Sequence, residues 1–198
     1  MSNIIADGEG SGNSAGVTVN KRLKTTGIDL SLTEAATESG DTYNINTGEI
    51  TLTSDTESGI IYLKNNEDTN LIIDNLVVNI KDYTGTDGQP EIKIYRNPTA
   101  GTLITEETAS EISNRNFGSN KLLAANYYQG GDSKTISGED NSFPVYLSST
   151  AAVTFHAFTT LSVLPRGASI AISYKAPSGV TSMKIIVAFN VTLNGTQL

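Results

Sequence analysis

Few side chains in this sequence are equipped for chemistry, and their spacing narrows the choice further. His156 is the single histidine among 198 residues. A Ser-His-Asp relay would have to pass its proton through that ring. It lies mid-run, out of phase with Val153, Phe155 and Ala157. That puts it on a strand face, whereas catalytic groups tend to sit on loops held by a scaffold, so it reads as a surface or interface histidine. Carboxylates cluster at Glu67-Asp68, at Asp82 with Asp87, at Glu106-Glu107 and at Glu139-Asp140. None has the alternate oxygens and closing Glu of a calcium loop. A glycosidase needs two carboxylates across the scissile bond, and nothing here selects a pair. They read as solvated loops. There is no cysteine, hence no thiolate nucleophile, disulfide or Cys-ligated metal. Gly8, Gly10 and Gly12 follow no strand and open no helix, so they are not a dinucleotide loop. No catalytic residue, metal or cofactor is expected, and the chain reads as non-enzymatic.

Two groups of residues suit binding. Lys21, Arg22 and Lys24 form the one basic cluster in a chain of net charge −8. They read either as a solvated face or as a contact for an acidic partner. Tyr127-Tyr128, beside Gly130-Gly131, read either as core or interface packing or as a platform on which a sugar stacks. Charge excludes more than it selects. A pI near 4.6 leaves no basic footprint for nucleic acid and argues against anionic membrane surfaces. No apolar run approaches the ~18 residues of a membrane span. The start, MSNIIADGEGSG, lacks the basic and apolar regions of a signal peptide, so synthesis in the cytoplasm without export is expected. The sequons at Asn190 and Asn194 then read as chance in a Thr-rich chain.

These residues must be positioned by strands. From Leu164 to Leu193 the sequence reads as two strands joined by Pro177-Ser178-Gly179, a hairpin by its turn chemistry. In the second strand Met183, Ile185, Val187, Phe189, Val191 and Leu193 share one face. A period of two held for so long would be scrambled by a helix. In the first, Ala168, Ile170, Ile172 and Tyr174 alternate with Ser169, Ala171, Ser173 and Lys175. Upstream, Tyr43–Ile45 and Ile50–Thr53 flank Asn46-Thr47-Gly48 like a small hairpin. Residues 59–64 (GIIYLK) suit a strand buried on both faces. Residues 71–80 suit a longer strand with Ile72, Leu76, Val78 and Ile80 on one face, interrupted by Asp74. Residues 91–96, 143–147 and 151–163 add further strands, Leu103-Ile104 could begin another, and Lys121–Asn126 suits helix or strand. Nine to eleven short strands with no long amphipathic helix predict an all-β, antiparallel two-sheet β-sandwich, jelly-roll-like, over residues 43–198.

Residues 1–42 differ. Glycines and small polar residues dominate, and large apolar side chains are few. Such a segment buries too little to offset its ordering entropy of about 1–2 kcal/mol per residue. It reads as an extended N-terminal arm that docks either on its own domain or on another chain.

Five stretches carry a family likeness. They are TYNINTGEITLTS (42–54), GIIYLKNNEDTNLIID (59–74), EIKIYRNPTAGTLI (91–104), NRNFGSNKLLAANYYQGG (114–131) and LPRGASIAISYKAPSGVTSM (164–183). In order and spacing the chain resembles structural proteins of tailed-bacteriophage virions over about residues 40–193. The resemblance implies a β-sandwich on the particle, of the capsid decoration, cement or head-fibre kind, with no catalytic residues to transfer. It implies as partners the major capsid protein or other virion proteins, a homo-oligomer with a trimer favoured, and a location on the virion. The arm would order on binding, with Lys21, Arg22 and Lys24 meeting an acidic groove. Two other readings stand beside it: a tail or fibre component that binds host surface glycans, and an enzyme acting on surface polysaccharide.

Overall fold

The computed structural model describes residues 32–53, 55–85, 88–105, 112–146 and 162–194, and the backbone of 4–6, 14–16 and 154–157. By its contacts the chain divides into two units, Met1–Ser31 and Leu32–Leu198. In the first, β1 (Ile4–Ala6) pairs antiparallel with β2 (Ser14–Gly16). The second is the sandwich. It begins ahead of the boundary that composition suggests at residue 43, because a helix, α1 (Leu32–Ser39), belongs to it. The chain leaves α1 through Gly40 at φ +77°. The Asp41 amide donates to the Ala36 carbonyl and the Gly40 amide to Thr37, the paired bonds that close a helix on a left-handed glycine. Ala36 is fully buried.

In chain order the strands of the sandwich are β3 (Thr42–Asn46), β4 (Ile50–Leu52), β5 (Ser58–Asn65), β6 (Asn70–Gly85), β7 (Glu91–Arg96), β8 (Ile112–Asn114) and β9 (Ala125–Gln129), then β10 (Asn141–Tyr146), β11 (Thr154–Ala157), β12 (Ser162–Leu164), β13 (Ser169–Lys175) and β14 (Val180–Asn194), with a one-turn helix α2 (Thr102–Thr105) after β7. One sheet has the order β10-β7-β13-β5-β9 and the other β11-β6-β14-β3-β8, with β12 also on β6 and β4 also on β14. The paired ladders of both sheets are antiparallel. Leave out β8 and β9 and eight strand positions remain in two interleaved four-stranded sheets, which is the jelly-roll order. The segment between β7 and β10 is an insertion, and it adds one strand to each sheet.

The core lies between the sheets. From β14 it takes Met183, Ile185, Val187, Phe189 and Val191, all buried, with Leu193 packed at its margin. At ~1.5–3 kcal/mol each, those five alone contribute on the order of 10 kcal/mol of burial. From β13 come Ile172 and Tyr174, with Ile170 partly buried. The β6 contribution is Leu71 and Ile73, then Leu76, Val78 and Ile80. The phase changes between them because Asn75 sits at φ +51° and the register with β14 slips between Ala188 and Asn190. A bulge of this kind moves the next side chains to the opposite face. Ile73, not Ile72, therefore faces the core. Asp74 lies at the bulge, between the stretches of β6 that pair with β12 and with β11.

Three local expectations are overturned. β13 and β14 are not a hairpin: the reversal at Pro177–Gly179 carries the chain from one sheet to the other. β3 and β4 are not a hairpin either, since both pair with β14 in the same direction. Thr47 keeps the ladder going across the break. Its amide donates to the Val187 carbonyl and its Oγ1 accepts from the Val187 amide, both at 3.0 Å. Finally, Leu103-Ile104 begin no strand; they form the helical turn α2.

Candidate functional site

The best-furnished surface among the described residues is the outer face of the five-stranded sheet. Register assembles it from alternate residues of four strands. Tyr95 on β7 faces Ala171 on β13, which faces Tyr62 on β5, which faces Tyr128 on β9. Leu103 of α2 lies over this row, so Tyr62, Tyr95, Leu103 and Ala171 form a second, smaller apolar cluster. This is why β5 is buried on both faces, as its unbroken apolar run predicts. A groove lies on either side of the row along the strand direction.

The first groove, of about 560 Å³, is bordered by Glu57, Glu91, Tyr146 and Lys175. Its most connected group is the Glu57 carboxylate. Oε2 accepts from Lys93 Nζ at 2.7 Å; Oε1 accepts from Ser173 Oγ at 2.6 Å and from the Tyr95 hydroxyl. The Lys93 ammonium also lies 5.8 Å from the centre of the Tyr95 ring, within cation–π range. Burial alone would raise the Glu57 carboxyl, but the Lys93, Ser173 and Tyr95 hydrogen bonds outweigh it and hold the group below its ordinary value. Burial would likewise lower Lys93, and Glu57 reverses that. Tyr95 is pushed up, first by burial and then by Glu57. A general base works best with a value near the working pH; this carboxylate is displaced the other way and three donors already occupy it. It clamps β5, β7 and β13 together.

The second groove, of about 610 Å³, falls within the usual range for ligand pockets. Tyr62 and Tyr128 form its aromatic floor, with ring centres 5.7 Å apart and planes at 26°. Lys64, Asn126 and Ser169 continue the floor beyond the tyrosine row, and Asn97 and Arg166 stand at its sides. Lys64 pairs with no carboxylate among the described residues, and Arg166 holds an exposed contact to Asp68 at 3.0 Å. The furnishing is aromatic face, amide and cation, which suits a hydroxylated ligand, above all one carrying negative charge.

The residues singled out by sequence fall differently. Tyr127 and Tyr128 point to opposite faces, as neighbours on a strand must: Tyr127 is buried in the main core, and Tyr128 alone reaches the groove. His156 lies on β11, opposite Val77 of β6. Glu67 accepts a hydrogen bond from the Ala124 amide at 2.5 Å, Asp82 pairs with Lys184 at 3.1 Å, and Asp140 accepts from Asn97 Nδ2 at 2.6 Å. Asp87, Glu106 and Glu107 lie outside the described residues, as do Lys21, Arg22 and Lys24. Among the described residues no three His, Asp or Glu side chains converge to hold a metal. No helix among them is long and apolar enough to cross a membrane.

No family model, curated protein or solved structure matches the chain.

Sequence reasoning missed Glu57 and Tyr62. Glu57 sits in a polar run between strands and carries no pattern of its own. Tyr62 had a signal: it is the one hydroxylated aromatic inside an otherwise aliphatic run, GIIYLK.

Proposed function

We propose that the chain is a non-enzymatic structural protein of a bacteriophage virion, which decorates or reinforces the capsid and docks through its N-terminal segment. The observation that carries this reading is the division of the chain. A jelly-roll unit closes on itself from Leu32, and Met1–Ser31 stands as a separate unit with the sequence's basic cluster in it. The five stretches that resemble virion proteins fall on β3–β5, the start of β6, β7, α2, β9 with the loop before it, β13 and the start of β14. The test is binding of the purified full chain to capsids that lack it. Lys21→Glu, Arg22→Glu and Lys24→Glu together should abolish binding and leave the melting temperature unchanged. Undiminished binding by that variant would refute docking through the segment.

A second reading is favoured by the Tyr62–Tyr128 groove: a tail or fibre component that binds host surface glycans. Stacking on Tyr128 and contacts to Asn97, Asn126 and Lys64 suit an acidic sugar. Glycan binding lost in Tyr128→Ala and in Lys64→Ala, with the fold intact, would favour it over the first. Tyr127→Ala is no test, because that ring belongs to the core.

A further inference from the structure

The loop between β8 and β9 and a cavity lie at opposite edges of the seven-stranded sheet. Phe117 is 100% exposed and Leu122 is 88% exposed, more than any other large apolar side chains among the described residues. Phe117 is not on a loose loop. The Asn116 amide donates to Asn114 Oδ1 at 2.9 Å, and the Gly118 amide to Asn116 Oδ1 at 3.0 Å. Asn116 Nδ2 donates to the Glu38 carbonyl at 2.8 Å, the Arg115 amide to Thr42 at 2.9 Å, and Lys121 pairs with Asp41 at 2.7 Å. The aromatic ring is held out into solvent by a loop tied to both α1 and β3. Rigid exposed aromatics are the usual anchors of protein interfaces, since little ordering entropy is lost on docking.

The cavity opens between the sheets at the β12 edge. It encloses about 210 Å³ and is lined by Ile73, Ile94, Phe143, Val163, Leu164 and Ile170 among others. An apolar cavity of about 150 Å³ already holds a benzene ring. Phe143 and Val163, at its mouth, are themselves exposed. Register places knob and hole at one level. Asn114 faces Tyr43, Tyr43 faces Val191, Val191 faces Ile73, and Ile73 faces Ser162. Phe117 follows the first residue of that row and Val163 follows the last. Four strand spacings of about 4.8 Å separate the two edges, roughly 19 Å.

We propose that Phe117 of one copy seats in this cavity of a second copy, head to tail. Such a contact uses two different surfaces and generates a ring when its rotation closes. It stands on the fold alone and does not depend on the virion reading.

Sedimentation of the full chain over a range of concentrations tests it. The wild type associates reversibly, and Phe117→Ala weakens association about 10- to 100-fold. Phe117→Asp and Val163→Asp, both at exposed positions, stay folded and are each monomeric. Mixed in equal amounts, they form dimers and nothing larger, because one intact knob meets one intact hole. The absence of cysteine permits a direct check. Phe117→Cys and Val163→Cys chains cross-link to each other on oxidation, and neither cross-links to itself. A monomeric wild type overturns the proposal. So does assembly that survives Phe117→Asp, or that survives Val163→Asp while depending on Phe117, since the latter marks a self-matched contact.

Discussion

Replacing Glu57 with Gln removes one charge from the clamp and keeps its shape. The Gln carbonyl still accepts from Tyr95 and Ser173, but its amide turns two hydrogens toward the Lys93 ammonium, a donor facing donors. Lys93 and Glu57 are only 24% and 32% exposed, so solvent replaces the lost contact poorly. A hydrogen bond to a charged partner contributes about 1.5–3 kcal/mol and a surface ion pair about 0–1. Allowing for partial screening, the loss at pH 7 comes to about 1–3 kcal/mol. Its sign with pH follows from the direction of the shift. The folded carboxyl titrates below its unfolded value, so its contribution is complete above the unfolded value, about 4.3, and disappears as pH falls through the folded one. Lys93, shifted upward, loses its contribution only as pH rises through its own folded value, far from this window. Urea unfolding of both proteins at pH 7 and near pH 3 reads the effect. The gap between them should shrink toward zero in acid. A gap under about 0.5 kcal/mol at pH 7, or one that persists unchanged near pH 3, would refute the clamp.

Other consequences are cruder. Val187→Asp places an unpaired carboxylate at a fully buried site and should leave no cooperative unfolding transition by circular dichroism; a soluble, folded variant contradicts the β14 assignment. Gly130→Ala drives a methyl group into the Gly59 carbonyl, so β9 must separate from β5, at a cost of about 2 kcal/mol or more in urea unfolding. Thr47→Val leaves the Val187 amide without its acceptor and should cost about 1–3 kcal/mol, whereas Thr47→Ser, which keeps the oxygen, should cost well under half as much.

The sandwich was legible where one phase holds for many residues. In β14 every second side chain from Met183 to Val191 is buried, as its pattern demands. Legibility failed where turn chemistry was read as pairing. Pro177-Ser178-Gly179 specifies a reversal, with Gly179 at φ +90°, but a reversal serves a hairpin or a crossing between sheets equally well. The sheet that β14 joins is fixed by β3 and β6, about a hundred residues or more upstream. Asn46-Thr47-Gly48 misleads in another way. Asn46 Oδ1 accepts from the Gly48 amide at 2.7 Å, which looks local, while Thr47 substitutes its hydroxyl for a backbone acceptor in the ladder. In β6 a residue at positive φ moved the core face from odd to even positions, and no periodicity announces that in advance. The candidate site was half legible. Tyr128 was named with its neighbour Tyr127, yet only register decides which of two adjacent tyrosines meets solvent and which meets the core.

The segment between β7 and β10 holds part of what periodicity does not announce. A jelly roll needs only a short connection there, and this chain instead places α2, β8 and β9 in that gap. Each piece leans on the eight-strand frame: Leu103 caps the Tyr62–Tyr95 row, β8 extends one sheet and β9 the other. Frame residues obey periodicity because packing dictates them. Outward residues of the insertion are free of that demand: a phenylalanine in full solvent among Asn, Gly and Ser, a tyrosine flanking a polar groove. An outward substitution at the fully exposed Phe117 should hardly change how firmly the protein folds, whereas inward substitutions in β14 should weaken it severely.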